Sequence, residues 1–277
     1  MPAIFAHYAF GAEALPKFAA PVQRIVRSYR ALFDLGVQGP DFYFFDQFLM
    51  LRGKRYARTG SELHHGSCAS LLQALEGEGG RRPDSGALAY LFGLIGHFTL
   101  DQAAHPSIDR WVTALNYNHH RLETEFDRFL LERAGMAPRY FRLGACMAAP
   151  RRQRLQVGRL YEAAGLGKAE DVAALLRDFG RIKNHTTLKS DCTYRVVQGV
   201  LKAVGAWNAI GGIFMGPKDA LSEITNPRLL AIFEEAQARY VQLVANYYAH
   251  VFRGDALDAY FQRDFETNQE EDTYEYC

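Results

Sequence analysis

The chain has 277 residues, of which 48% are hydrophobic and 23% are charged, and its formal net charge is +1. This composition is typical of a globular protein with a sizeable core, and it argues against a protein that binds polyanions through its overall charge, although a local basic surface is compatible with it. The four cysteines form no CxxC motif, which argues against a disulfide framework or a thiolate zinc site.

Two features of the sequence bear on the cellular compartment. The N-terminal segment MPAIFAHYAFGAEALPKF lacks the basic region and long apolar stretch of a secretory signal. The longest apolar run, 87–100, has 14 residues, whereas a helix that spans a bilayer needs about 20. We therefore expect this run to form a buried core helix, and we expect a cytoplasmic protein with free thiols.

Helical spacing of apolar residues dominates the chain, and no internal repeat or alternating strand pattern is visible. In chain order, this spacing and the capping residues predict helices over 21–36, 61–75, 87–105, 118–134, 151–164, 168–184, 190–209 and 227–253. The helix over 87–105 is expected to end at Pro106, and the polar segment 76–86 is expected to form a turn. We predict one all-α multi-helix bundle over residues 1–265, followed by an acidic, disordered tail over 266–277.

The third predicted helix carries an unusual set of polar residues. His97, Asp101 and His105 follow one another at intervals of four, so they lie along one face of the helix. A lone histidine on an apolar face is usually a packed core residue. Three titratable groups in register are different, because burying them is unfavourable unless something pairs them, and a divalent metal ion would do so.

Other candidate ligands support a metal site. His119 and Glu123 form a second pair with a spacing of four, and helices joined by short connections pack antiparallel, so the two pairs are expected to converge. His7, Asp41 and His64 precede them in the chain. Individually, these three could be a core histidine, a helix N-cap and an exposed residue at a helix start. Nitrogen and oxygen ligands without a thiolate suit zinc in a catalytic role.

The order of these residues resembles that of the zinc-dependent phospholipase C family, whose all-α fold is shared with the single-strand-specific zinc nucleases. The pattern is His7, Gly-Pro-Asp41, His64, His97-x3-Asp101, His105 and His119-x3-Glu123. The resemblance covers roughly residues 1–130. In this superfamily three zinc ions are bound, and the N-terminal residue of the mature protein is itself a ligand.

The resemblance implies three zinc sites in this chain. The first would be formed by Asp41, His64, His97 and Asp101. The second would be formed by His105, His119 and Glu123. The third would contain His7, and Asp101 would bridge it to the first. It would also contain the amine of Pro2, which removal of Met1 would expose. Pro2 lies five residues before His7, and the nucleases have the same spacing between their N-terminal ligand and their first histidine. One departure is that His105 follows Asp101 by four residues, whereas the family spacing is six.

The resemblance also implies a function, namely a zinc-dependent phosphoester hydrolase with two to three zinc ions. The leading expectation is a phospholipase C-like phosphodiesterase acting on a phospholipid at a membrane surface, in which Asp41 orients or deprotonates the attacking water or is a plain ligand. The alternatives are a zinc nuclease, with nucleic acid as its partner, or a phosphomonoesterase on the same site, and a non-catalytic helical scaffold that keeps the metals for structure. Glu125 and Asp127 could support the ligands or be ordinary helix charges, and we favour the latter. Phe42–Phe45 could be core residues, an apolar rim or a stacking surface.

Overall fold

The computed structural model describes residues 3–47, 56–77 and 83–266, and every regular element in these ranges is helical, which confirms the all-α class. The α-helices are α1 Ile4–Ala14, α2 Ala20–Ser28, α3 Arg30–Gly36, α4 Ala57–His65, α5 Cys68–Glu76, α6 Ser85–Leu115, α7 His119–Arg133, α8 Arg151–Ala163, α9 Ala169–Lys183, α10 Asp191–Ala203, α11 Trp207–Ile210 and α12 Ser222–Arg253. Six short 3-10 helices occur in the same ranges: Leu15–Lys17, Asp41–Gln47, Pro138–Tyr140, Leu143–Met147, Gly211–Ile213 and Ala259–Gln262.

The centre of the bundle is α6, which is apolar on all sides along its first turns. Residues 86–102 of this helix are all buried, as expected for a helix without a polar face. It packs against α1, α2, α3, α7, α8 and α12. The side chains of α6 are therefore fixed by packing from several directions. Within the described ranges, no helix is both long enough and apolar enough to cross a bilayer.

Glycines allow the backbones of α3 and α6 to touch. A Cβ atom built on Gly93 would lie 2.3 Å from the carbonyl oxygen of Phe33, and one built on Gly36 would lie 2.1 Å from that of Tyr90. No larger residue fits at either position without movement of the backbone. This contact holds α6 against α3, which leads directly into the loop that carries Asp41.

Two predicted helices in the first third of the chain are each divided into two in the structure. The helix expected over 21–36 is interrupted at Tyr29, where φ is −128° and ψ is 39°. The helix expected over 61–75 begins earlier, at Ala57, and breaks after His65, because the Ser67 hydroxyl accepts a hydrogen bond from the Ser70 amide and starts α5. His64 consequently lies near the end of α4, and the prediction that it lies at a helix start is wrong.

The prediction that Pro106 ends the third helix is also wrong. A proline inside a helix removes one hydrogen-bond donor and crowds the preceding turn, yet α6 continues to Leu115 and ends at Asn116, which has a φ of 46°. The buried side chain of Ile108 keeps the next turn packed against the core. Further differences are that α1 was not predicted as a helix, and that the helix expected over 190–209 is divided into α10 and α11.

The contact between α3 and α6 predicts the effect of adding one methyl group. Gly93→Ala should lower the free energy of unfolding by about 1–3 kcal/mol, because the new Cβ collides with backbone. Gly199→Ala is the matched control, since it also lies in a helix but no atom lies within 4 Å of its Cβ position. It should raise stability by about 0.5–1 kcal/mol. Urea denaturation measures both, and equal effects would contradict this account of the contact.

Candidate metal centre

The structure brings eight of the nine predicted site residues together, and the ninth, Pro2, lies outside the described residues. They form three groups, and within each group the ligand atoms lie within 4.8 Å of one another. We call these groups central (Asp41, His64, His97), bridging (His7, His97, Asp101) and outer (His105, His119, Glu123). Each group could hold a metal ion.

The central group is assembled from a loop and two helices. Asp41 begins the 3-10 helix that follows α3, His64 lies on α4, and His97 lies on α6. The Asp41 Oδ1 atom is 3.1 Å from His64 Nε2 and 3.7 Å from His97 Nε2. Gly39, with a φ of 55°, lies against His97, so close that a Cβ there would be 2.1 Å from the imidazole ring. The loop that positions Asp41 therefore requires glycine at this point.

The hydrogen bonds of His64 indicate that a proton or a cation belongs between its Nε2 atom and Asp41. The Nδ1 atom of His64 donates a hydrogen bond to the carbonyl oxygen of Gly60 at 2.8 Å. In a neutral imidazole, Nε2 then carries a lone pair that faces the Asp41 carboxylate, and two acceptors at 3.1 Å repel unless a proton or a cation lies between them. Burial lowers the pKa of His64, but the Asp41 carboxylate outweighs this effect and the net result is a raised pKa. A metal ion would replace that proton.

The bridging group is organised around Asp101, whose two carboxylate oxygens face different histidines. Oδ1 lies 3.1 Å from His7 Nε2, and Oδ2 lies 3.1 Å from His97 Nε2. The second pair is close but does not have hydrogen-bond geometry. Burial lowers the pKa of His97 to about 3, despite the opposing effect of Asp101, so this imidazole is neutral. Uncompensated buried atoms of these types fit a bound cation better than they fit a hydrogen-bond network.

This arrangement differs in one respect from the ligand sets implied by the resemblance. Those sets place Asp101 in the first site as well as bridging it to the third. In the structure, Asp101 is grouped with His7 and His97, and His97 belongs to both the central and the bridging groups. The residue that joins the two groups is therefore His97, and the bridging role that the resemblance implies for Asp101 stays a prediction.

The outer group consists of His105 on α6 and of His119 and Glu123 near the start of α7. His119 Nε2 is 3.2 Å from Glu123 Oε1, and His105 Nε2 is 3.8 Å from the same oxygen. The opposite nitrogen of His119 lies 3.4 Å from Asp109 Oδ1. A carboxylate behind a histidine in this way orients metal-binding imidazoles in many proteins. Sequence reasoning missed Asp109 because it lies beyond Pro106, although it follows His105 by four residues.

The three carboxylates of the groups are ionised at neutral pH. Burial alone would raise the pKa values of Asp41, Asp101 and Glu123, but electrostatic attraction and hydrogen bonding from neighbouring groups outweigh burial. The pKa of Asp41 falls to about 2, and the pKa values of the other two fall well below their ordinary range. The centre thus offers negative charge to cations, together with imidazole nitrogens and without any cysteine ligand in these groups.

The interpretation of Glu125 and Asp127 as ordinary helix charges is wrong, because both are buried. Asp127 accepts a hydrogen bond from the Ala6 amide at 2.8 Å, and burial raises its pKa to about 7. Glu125 is ion-paired with Arg121 and Arg128, at 3.1 and 3.2 Å. Asp127 holds the first turn of α1 against α7, and this contact places the next residue, His7, at the bridging group.

A segment from the far end of the described chain covers the central group. The ring of Phe265 lies 5.4 Å from that of His64 and 5.9 Å from that of His97, measured between centroids. The Phe265 amide donates a hydrogen bond to the His64 carbonyl at 3.0 Å, and Gln102 donates one to the Asp264 carbonyl at 2.9 Å. Sequence reasoning missed this segment, because the family resemblance ends near residue 130.

A cavity of about 20 Å³ lies between the bridging and outer groups, lined by His7, Asp101, His105, Glu123 and several apolar side chains. This volume accommodates about one water molecule. Among the neighbouring aromatic residues, Phe42, Tyr43 and Phe45 are buried and Phe44 is half-buried. The core interpretation is therefore correct for the three buried rings, which are not available as a rim or as a stacking surface.

Comparisons with known proteins do not identify a family for this chain. No family model matches it, and no curated protein or solved structure matches it either. The order of ligand residues that resembles the zinc-dependent phospholipases is thus not accompanied by a detectable overall similarity. The functional argument consequently rests on the donor atoms, their burial and their distances.

The contact between Gly39 and His97 predicts that Gly39→Ala displaces the imidazole and removes a ligand shared by two groups. After loading with zinc and dialysis, this variant should retain fewer ions than the wild type, by about one per chain. Gly135→Ala is the matched control, because Gly135 also has a positive φ, 71°, but no atom lies within 4 Å of its Cβ position. The control should keep its zinc while losing some stability. Elemental analysis measures the ions, and equal content in both variants would contradict the prediction.

The charge on His119 predicts how metal binding depends on pH. Burial would lower the pKa of His119, but the Glu123 carboxylate and the hydrogen bond with Asp109 outweigh it and raise this pKa to about 9. Below that pH the metal-free imidazole is protonated, so a metal ion must displace the proton. Affinity at the outer group should therefore rise about tenfold per pH unit up to pH 9 and then level off.

Chelator competition between about pH 6.5 and 7.5, together with calorimetry in buffers of different ionisation enthalpy, measures this dependence. Asp109→Asn removes a group that raises the pKa of His119, so in a series extended to pH 9 its affinity should level off at a lower pH than that of the wild type. Affinity that does not change with pH, without proton release, would show that His119 is not a ligand.

Proposed function

We propose that the protein is a zinc-dependent phosphoester hydrolase, similar in its site to the zinc-dependent phospholipases C. The observation that carries the proposal is the convergence of three groups of nitrogen and oxygen donors, two of which border one cavity. Two of the groups share His97, and Asp101 faces both His7 and His97. Clustered divalent ions held by such donors would supply the charge stabilisation that cleavage of a phosphate ester requires.

The donor set supports zinc in a catalytic rather than a structural role. Imidazole and carboxylate donors without thiolates suit catalytic zinc, which takes three protein ligands and keeps a fourth position open. The central and outer groups each supply three donors. A structural site would instead be closed by four protein ligands, and this difference favours the enzyme over the scaffold.

Bound zinc ions would polarise the phosphate ester and promote ionisation of a water molecule. The residues of the chain hold and shape the site. Asp41, Asp101 and Glu123 provide the charge that retains the ions, and Asp41 additionally orients or deprotonates water if it is more than a ligand. Leu100, Phe126 and Leu229 form the apolar part of the cavity wall and limit access of bulk water.

A phospholipid is the leading substrate class, and one observation favours it over nucleic acid. Proteins that bind single strands stack the bases on exposed aromatic rings. The aromatic cluster beside Asp41 is packed into the core here, since Phe42, Tyr43 and Phe45 are buried. A nuclease or a phosphomonoesterase on the same metal centre is the alternative, and substrate comparison distinguishes them.

The test loads the full chain with zinc and assays phosphatidylcholine, single-stranded DNA, a nitrophenyl phosphodiester and a nitrophenyl phosphomonoester side by side. We expect two to three zinc ions per chain and hydrolysis of the phosphodiesters, with phosphatidylcholine preferred over DNA. Asp41→Asn should reduce the rate about a hundredfold or more. Asp255→Asn changes an exposed carboxylate that is paired with Arg253, and it serves as the matched control with full activity.

The outcomes separate the candidate functions. Zinc retention by an inactive Asp41→Asn variant supports a role for Asp41 in handling water, whereas loss of one ion shows that it is a ligand. Cleavage of DNA alone, or of the monoester alone, would replace the phospholipase proposal with the corresponding alternative. Tight zinc binding without activity on any of the four substrates would favour the scaffold.

A further inference from the structure

One helix on the surface exposes its apolar side chains. No residue of α10 is buried, and Val196 and Val200, together with Val204 just beyond its end, are 60%, 58% and 69% exposed. These residues follow one another at intervals of four, so they form a continuous stripe along one side of the helix. Exposed valines in register are unusual on a surface, because each leaves apolar area in contact with water.

The other side of α10 is anchored to the bundle. The guanidinium of Arg121 lies 5.9 Å from the centroid of the Tyr194 ring, and that ring makes an edge contact with Trp207 at 5.8 Å. The valine stripe faces away from these contacts. The helix is thus held in place while its apolar side remains exposed, which is the arrangement expected of a docking surface rather than of a loosely folded segment.

The charges around the stripe are mainly basic. Residues 189–204, which contain α10, include three basic residues, Lys189, Arg195 and Lys202, and one acidic residue, Asp191, which is ion-paired with Arg139 at 2.5 Å. Arg195 and Lys202 are exposed and lie on one flank of the stripe, roughly 100–120° around the helix from Val196. The whole chain has a net charge of only +1, so this positive character is local.

The exposed helix also lies near the candidate metal centre. Asn118 donates a hydrogen bond to the carbonyl oxygen of Asn208 in α11 at 3.0 Å, and α11 contacts α10. The residue after Asn118 is His119 of the outer group. A ligand bound along α10 would therefore lie beside the part of the chain that carries the outer group.

We propose that α10 is a docking surface for anionic phospholipid membranes, on which the helix lies parallel to the surface. Val196, Val200 and Val204 would enter the boundary between headgroups and acyl chains, while Arg195 and Lys202 reach the lipid phosphates. An amphipathic helix with a basic flank has the features of such interfacial helices, and anionic lipids attract basic residues near the membrane surface. This proposal concerns binding, and it holds whether or not the metal centre hydrolyses the lipid.

The test measures binding of the zinc-loaded full chain to vesicles of phosphatidylcholine with and without phosphatidylserine. The wild type should partition onto the vesicles that contain phosphatidylserine and should be released by high salt. The double variant Val196→Ser/Val200→Ser should bind at least about tenfold more weakly. Ile224→Ser is the matched control, since Ile224 is also a strongly exposed apolar residue but lies outside the stripe, and it should bind like the wild type.

A second pair of substitutions tests the charges. Arg195→Gln/Lys202→Gln should reduce the preference for phosphatidylserine while leaving thermal unfolding unchanged. Circular dichroism melts of every variant establish that each is folded. The proposal is overturned if the wild type binds neither type of vesicle, or if the valine variant binds as well as the Ile224→Ser control. It is likewise overturned if light scattering shows a wild-type dimer that the valine substitutions dissociate, because the stripe would then be covered by a second copy.

Discussion

Burial of negative charge in the middle of a helical bundle is the constraint on which this structure depends. Asp101 is buried on α6, and each of its oxygens lies 3.1 Å from a histidine nitrogen. Carboxylates in such surroundings are strongly unfavourable unless cations compensate them. Asp41 and Glu123 repeat the situation on either side. Cations at the histidines, whether protons or metal ions, would therefore contribute directly to the stability of the fold.

The scaffold holds these groups in place through a small number of close contacts. Gly93 lets α6 approach α3, whereas Gly39 lets the loop with Asp41 approach the His97 ring. Asp127 fixes the start of α1 through the Ala6 amide. None of Gly93, Gly39 and Asp127 is itself a member of the three groups, yet each helps to position a residue that is. Substitutions at such residues would change metal affinity through geometry rather than through lost ligands.

The sequence predicted the helical class and the grouped donors because both depend on local periodicity: a spacing of four on a helix puts side chains on one face. It did not predict which helices would be divided, because capping by Ser67 competes with continuation of the helix. The sequence does not predict Asp109 because a proline usually ends a helix, and Asp109 follows Pro106. In the structure, the packing of Ile108 against the core lets the helix continue past Pro106. Phe265 was missed because its contact joins residues far apart in the chain, for which a single sequence contains no local signal.

Phe265 covers the central group, and this contact bears on the order in which the site is assembled while the chain is synthesised. The donors of the three groups lie between residues 7 and 123, so a ribosome completes them long before it reaches residues 263–265. A nascent chain would thus present the three groups in an open cleft, and docking of the last segment would then cover the central group. An ion held by the central group would leave only after this segment opens, so its lifetime would be set by local unfolding as well as by ligand affinity.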